Sequence, residues 1–380
     1  SSKLVGTAFT SQLPAVFQLP STKPVHVKST AINEWEVKTK KNNIENLFKE
    51  HITNHLTTQS VFITGGAGYV GAMLVPRLLQ EGHRVTVLDL MIYGEDVLPK
   101  NPALTVIKGD IRNQELMKPA IQGHDVVIHL ACISNDPSFE LNPILGKSIN
   151  LLAFEPLVEI SIKSKVSHFI YASSSSVYGI KEEKNVTEDM SLEPLTDYSK
   201  FKAECEKILN KYSSQNFITT TIRPSTVCGY ARRQRLDLVV NILTNHAFHN
   251  KEIKVFGGDQ LRPNIHINDM VDSYLAVLEA PSKKISGEVF NVGFKNQSVN
   301  ELANGVKEVI GSDVKIIHTK SDDNRSYHVS SEKIKKILGF ETKHSVKDAV
   351  LDLKNAFEKK LLVNTFNDEL FFNIKRMNNI

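Results

Sequence analysis

Val61-Phe62-Ile63-Thr64-Gly65-Gly66-Ala67-Gly68-Tyr69-Val70-Gly71, followed by helical spacing over residues 69–80 and by Arg84-Val85-Thr86-Val87-Leu88-Asp89, is the stretch that decides the fold. An apolar run, a glycine-rich turn, a helix and a second apolar run ending in an acid describe a strand, a loop, a helix and a strand. Each glycine has a use if a dinucleotide binds there. Gly65 permits the tight turn, Gly68 lets the backbone approach a pyrophosphate, and Gly71 lets the helix pack closely on the strand. The unpaired N–H groups at the helix start, around Tyr69 and Val70, then face the phosphates. Asp89 follows Gly71 by 18 residues, near the roughly 20-residue spacing at which a carboxylate reaches the adenosine ribose hydroxyls. It would repel a 2′-phosphate, and Leu90 and Met91 supply no arginine to hold one, so NAD is expected rather than NADP. Pro76 breaks the helical pattern at a cost that reaches about 3 kcal/mol, which predicts a kink near Arg77.

Outward from this stretch the alternation continues. Residues 104–107 read as a third strand, followed by Gly109-Asp110-Ile111-Arg112, and residues 124–131 as a fourth. That fourth segment holds a near-continuous apolar run, as expected of a parallel strand covered on both faces. Residues 142–165 read as one helix, 168–173 as a fifth strand and 217–222 as the last long one. The fold class expected is therefore α/β, a Rossmann-type doubly wound parallel sheet with a smaller C-terminal substrate-binding α/β part. Ligands then collect at the carboxyl ends of the strands, after Ala131 and Ala172.

Polar residues gather at those ends. The fifth strand runs into Ser173-Ser174-Ser175-Ser176-Val177-Tyr178-Gly179, and Asp197-Tyr198-Ser199-Lys200-Phe201-Lys202 follows. Tyr198 and Lys202 are four apart and share a helix face. A lysine there is expected to lower the phenol's pKa and make Tyr198 a base near neutral pH, with Ser174 holding the reacting hydroxyl.

In this order the motifs resemble an extended short-chain dehydrogenase/reductase of the nucleotide-sugar epimerase/dehydratase kind, the group of UDP-glucose 4-epimerase-like enzymes. The residues that carry the resemblance are the glycine loop, Asp89, Asp110-Ile111, His129-Leu130-Ala131, Asn150, the serine run, Tyr198-x-x-x-Lys202, Arg223-Pro224 and Arg262-Pro263-Asn264-Ile265-His266-Ile267-Asn268-Asp269. The resemblance spans residues 60–360. It implies that Asp110 and Ile111 flank the adenine, that Ala131, Asn150 and Lys202 lie along the cofactor, and that Ser174, Tyr198 and Lys202 are catalytic. It also implies a nucleotide-diphosphate sugar held by Ser134, Ser175, Thr226, Arg262 and Arg325, and a homodimer. The dimer is expected through residues 142–165 and 197–211, with Leu151, Leu152, Leu157 and Ile160 apolar on the first of these.

The reaction expected is oxidation at sugar C4 and return of the hydride to the other face, an epimerisation. Similar 4,6-dehydratases carry aspartate and glutamate where this chain has Ser175 and Ser176, and serine cannot replace a carboxyl group as a general acid. A dehydratase or 4-keto reductase remains the alternative if Asn135, Asp136 or Cys228 supplies the acid or base. A non-catalytic NAD-binding subunit is the alternative of another class.

Composition bounds the rest. With 380 residues, 41% hydrophobic and 23% charged, a globular protein with one large core or two domains is expected. A net charge of +4 without a basic block gives no support to nucleic-acid or membrane-surface binding. Cys132, Cys205 and Cys228 are too scattered for a disulfide framework or a metal site and read as buried packing residues. Four segments are expected: an extension of unknown role (1–58), the NAD-binding domain (59–226), the substrate-binding part (227–365) and a C-terminal tail (366–380). The extension holds nine serines and threonines in its first 30 residues and no acid before Glu34. That pattern faintly resembles an organellar transit peptide but lacks arginine, so the expected location is cytoplasmic. Residues 43–56 have helical spacing, with His51 and His55 on that helix. Ser298 with Glu301 and Ser345 with Asp348 read as helix caps.

Overall fold

A computed structural model describes residues 58–183, 185–320 and 328–379. The helix expected at 43–56, His51, His55 and Arg325 fall outside these residues. Seven parallel strands form the main sheet: β1 (Ser60–Thr64), β2 (Arg84–Asp89), β3 (Leu104–Lys108), β4 (Val126–His129), β5 (His168–Ala172), β6 (Ile218–Pro224) and β10 (Glu288–Val292). Their order is β3-β2-β1-β4-β5-β6-β10, and the chain reverses its direction of winding between β1 and β4. That crevice is where a doubly wound sheet binds its ligand.

Alternation along β1 shows why the strand is apolar throughout. Val61 and Ile63 pack against α1 (Gly71–Gln80) and α8 (Ile267–Leu278), while Phe62 faces α5 (Phe154–Lys163) and α6 (Asp197–Tyr212). Both faces are covered, so a polar residue at any of these three positions would bury an unpaired group. Helix α1 runs without interruption through Pro76; the chain carries the proline inside the helix rather than ending there.

Residues 142–165 are not one helix. They divide into α4 (Pro143–Lys147), a π-turn (Ser148–Leu152) and α5. The wider turn directs Asn150 at the loop leaving β4, where its amide exchanges hydrogen bonds with Ile133 N and O at 2.8 and 2.9 Å.

The boundary expected at residue 226 does not separate the sheets. β10 lies beyond it and pairs with β6 from Glu288↔Thr220 to Val292↔Pro224. The later residues also build two small sheets. One contains β7 (Thr226–Cys228), β9 (Leu261–His266) and β11 (Lys295–Ser298), and the other β8 (Glu252–Phe256) and β12 (Lys315–Thr319). Their core lies among α7 (Val239–Asn250), α9 (Val299–Ile310) and α10 (Val346–Glu358). Both expected caps are present, with Ser298 and Ser345 accepting from the N–H of Glu301 and Asp348. Among the described residues no helix is long and apolar enough to cross a membrane.

Candidate active site

A cavity of about 810 Å³ opens at the carboxyl ends of β1, β4, β5 and β6. At its floor Gly65 has φ +76°, and an added Cβ would lie 2.5 Å from Ala131 N. The turn thus needs glycine for its backbone and for the close approach of β4. A Cβ on Gly71 would lie 2.4 Å from Gly66 O, so that glycine lets the helix start fold down on the loop itself. Gly68, Tyr69 and Val70 complete the lip of the cavity. Helix α1 has no acid in its first turn, which leaves its positive end available to phosphates.

The acidic end of the site is also formed. Asp89 accepts from Ala67 N at 3.0 Å and Met91 N at 2.8 Å, which fixes its carboxylate beside the loop. Burial raises its pKa, against the opposing effect of these amides and of Arg233. Asp110 and Ile111 line the same wall, and Arg112 chelates Asp110 through Nε and Nη2. These features fit a dinucleotide: a backbone cradle no side chain can enter, a helix N-terminus and a ribose-height carboxylate. Asn150 is a correction, because its amide is spent on Ile133 and does not line the cavity. Cys132 is another: Cys205 and Cys228 are buried, but Cys132 is half-buried and faces the cavity. Among the described residues no His, Cys, Asp or Glu group is arranged to hold a metal.

Helix α6 brings Tyr198 and Lys202 to the cavity. Its capping box, Thr196 with Ser199, starts the helix so that Tyr198, Lys202 and Glu206 fall one turn apart. Tyr198 and Ser174 both line the cavity, and the Ser174 hydroxyl is hydrogen-bonded to the phenol. Ser174 Oγ is also 2.8 Å from Ser176 Oγ. Lys202 donates to Ala172 O at 2.6 Å, and its Nζ stands 5.9 Å from the centre of the Tyr198 ring. The direction of the Tyr198 shift differs from the expectation. Burial pushes the phenol above its ordinary pKa, Cys132 and Asp136 add to the rise, and Arg235 and the Ser174 hydrogen bond oppose it. Lys202 has committed its ammonium to the β5 carbonyl, so the desolvation of the phenol dominates.

Glu206 carried no sequence signal except its spacing, one further turn along the Tyr198 face. It is buried and binds Arg223 through both oxygens, with Arg223 Nη2 to Glu206 Oε2 at 2.6 Å. Ser173 donates to the same carboxylate. Arg223 continues to Tyr178 OH at 2.7 Å, and Tyr178 to Asn291 Oδ1 at 2.7 Å. This network fixes both ends of the serine run from beneath.

Ser134, Ser175, Thr226 and Arg262 also line the cavity. Arg262 arrives on β9 and donates to Leu261 O at 2.9 Å. Of the three alternative acids, Cys228 points away, its thiol donating to Ile265 O. Asn135 caps α3 (Asp136–Glu140) from a backbone of φ 72°. Asp136 lines the cavity and accepts from Thr196 Oγ1 at 2.5 Å. Two features were not assigned from sequence. Arg233 and Arg235 face into the cavity, and the last helix, α11 (Asn373–Met377), contributes Asn373 and Met377 to its wall.

Residues 61–293 match the sequence profile of the NAD dependent epimerase/dehydratase family. A UDP-glucose 4-epimerase of Lactobacillus helveticus is 27% identical over 312 residues, covering 77% of this chain and 94% of its own. Among solved structures, a UDP-glucose 4-epimerase from Thermotoga maritima with UDP-glucose is 26% identical at a TM-score of 0.73, covering 80% of this chain and all of the other. MoeE5 in complex with UDP-glucuronic acid and NAD is 24% identical at a TM-score of 0.71, covering 79% of this chain and 99% of that one. The Rossmann expectation holds, and NAD is the cofactor of this family. The chain belongs to the NAD dependent epimerase/dehydratase family.

Proposed function

We propose that the protein is a nucleotide-sugar 4-epimerase working through a transient 4-keto sugar. The observation that carries this reading is the convergence of Ser174, Tyr198 and Lys202 on one wall, with serines rather than carboxylates at 175 and 176. NAD, when bound, supplies the oxidant that accepts a hydride from C4 and gives it back. Tyr198 Oη takes the C4 hydroxyl proton, and Ser174 orients that hydroxyl. Lys202 would help hold the cofactor, and its ammonium ties the α6 face to the end of β5 through Ala172 O. The sugar diphosphate falls to Arg262, whose fork suits phosphate oxygens, and to Arg325, with Ser134, Ser175 and Thr226 around the sugar.

The 4,6-dehydratase or 4-keto reductase reading is favoured by one observation, the Asp136 carboxylate in the same cavity. UDP-, GDP-, CDP- and dTDP-hexoses offered to the enzyme separate the readings by NMR and mass. An epimer keeps the substrate's mass, whereas a 4-keto-6-deoxy product is lighter by one water. Tyr198→Phe should keep NAD and lose about 10²- to 10⁴-fold in rate, the usual share of general-base catalysis. Absence of any product with NAD still bound would leave the non-catalytic subunit reading.

The homodimer belongs to the same proposal, on altered residues. Leu157 and Ile160 are buried in the chain's own core, while Leu152 is 60% and Ile144 85% exposed. An interface through this region rests on the latter two. A cytoplasmic location is likewise part of the reading.

A further inference from the structure

We infer that the last helix, α11, is a strap across the dinucleotide site, and that NAD enters and leaves only when this helix lifts. The inference rests on NAD binding and not on the epimerase reading. Position carries it. In the sheet β2 and β4 flank β1, so a dinucleotide laid over the glycine loop after β1 lies between the loops that follow β2 and β4. Helix α11 is tied to both of those loops. Arg376 Nε donates to Ile92 O, after β2, at 2.6 Å, and Asn373 Nδ2 donates to Ser134 Oγ, after β4, at 2.9 Å. Asn373 and Met377 share one face of the helix, and both line the cavity. Met377 also packs on the apolar cluster that holds Ile111 and Ile149. That is the wall beside Asp110, where an adenine would lie, and a flexible thioether suits the face of such a ring.

The segment has a fixed root and a releasable end. At the root Phe371 and Phe372 pack with Leu236, Leu353 and Phe357, and Leu236 N donates to Phe371 O at 2.9 Å. Beyond that root only Asn373 is buried, while Ile374, Lys375, Asn378 and Asn379 are exposed. A helix of five residues has little stability of its own, so α11 is held in place by Asn373, Arg376 and Met377. Releasing those contacts frees the helix without opening the main sheet or the apolar cluster under Phe371. Local opening of this kind costs far less than global unfolding. A cofactor that cannot exchange between turnovers must be reoxidised inside the cavity, as return of the hydride to the 4-keto carbon and of a proton to its oxygen would do.

The test follows bound NAD rather than turnover. The purified full chain is loaded with labelled NAD, and release into an excess of unlabelled NAD is timed. Arg376→Met removes the tie to Ile92, and Met377→Ser removes the apolar contact. Each should speed release by about tenfold or more, the worth of one hydrogen bond to a charged donor or of one buried apolar side chain. Stopped-flow mixing should show NAD entering faster in both variants as well. Asn378→Ala, exposed at the end of the same helix, should change neither rate. In the parent protein, amide exchange over residues 373–379 should slow when NAD is added, because a ligand that α11 encloses also holds α11 down. Unchanged release and entry in both variants overturns the inference. Amide exchange that NAD leaves unaltered overturns it too, and that measurement needs no variant to fold. Faster release with unchanged entry makes α11 a wall against the cofactor rather than a gate, which also overturns it. A parent protein that shows the expected exchange but converts no nucleotide sugar refutes the epimerase reading instead.

Discussion

Substituting Gly65 with alanine tests the dinucleotide cradle at its tightest point. Two separable costs act there. An alanine at φ +76° pays the left-handed penalty of about 1–2 kcal/mol. Its Cβ must also clear Ala131 N at 2.5 Å, Ala131 Cα at 2.6 Å and Leu130 C at 2.8 Å. All three are backbone atoms, so no rotamer change relieves the contact. β1 and β4 must spread, which loosens the 2.9 Å bond from Leu130 N to Thr64 O and adds about 1–3 kcal/mol for a buried group left unpaired. The total is about 2–5 kcal/mol. Gly82 provides the control, with φ +87° and nothing within 4 Å of an added Cβ. Gly82→Ala therefore meets the conformational cost alone, at the exposed end of α1. Thermal unfolding should rank Gly65→Ala well below Gly82→Ala. Calorimetry should find NAD weakened about tenfold or more in Gly65→Ala, the equivalent of one lost hydrogen bond to a charged group, and unchanged in Gly82→Ala. Equal stability of the two variants with equal NAD affinity would refute the reasoning.

Breaking the buried Arg223–Glu206 pair with Arg223→Met should destabilise by about 3–5 kcal/mol, and the double variant Arg223→Met/Glu206→Leu should recover part of that loss; an additive double variant would contradict the pairing. Because Asp136 raises the Tyr198 pKa, Asp136→Asn should move the rise of kcat/KM with pH to lower pH, and an unmoved profile would exclude that contact. Burial holds His129 down to about 3 and His168 down to about 4 from 6.5. Both folded values lie below the unfolded one, so this stability is present above pH 6.5 and is lost as pH falls through the range down to those values. At pH 5 each gives up about 2 kcal/mol, and His168→Gln should flatten the acid slope of a urea titration by one such share. Sedimentation at micromolar concentration should show a dimer that Leu152→Asp dissociates; a monomeric parent would remove the proposal.

The fold was legible because its signals are local. The Gly65–Gly71 loop, the two-sided apolar strands and the carboxylate closing β2 each lie within a few residues of the element they define. What was misread depended on distant partners. Residues 142–165 have helical spacing throughout, and only the pull of Ile133 on Asn150 explains the π-turn that divides them. The boundary placed at residue 226 missed β10, and nothing in the residues of that strand says that it pairs with β6.

The site divides in the same way. Tyr198, Lys202 and Ser174 were found because motif spacing places them, and the direction of the Tyr198 pKa was missed because burial is a property of the assembled cavity. The expectation of no arginine near Asp89 considered only the residues that follow it. Arg233, from a loop beyond β7, reaches the same wall and bears electrostatically on that carboxylate. Asn373 lies 140 positions further along the chain from Arg233. It accepts from that arginine, donates from its side-chain amide to Ser134 Oγ at 2.9 Å and donates from its backbone N–H to Asp237 Oδ2 at 3.1 Å. Arg376 donates to Ile92 O at 2.6 Å. The segment expected to be a tail is therefore tied to the loops after β2, β4 and β7 at once. A wall built from four separate parts of the chain fixes the arginines' positions only after all four have folded, and for that reason the charge of this cavity cannot be read from any one stretch.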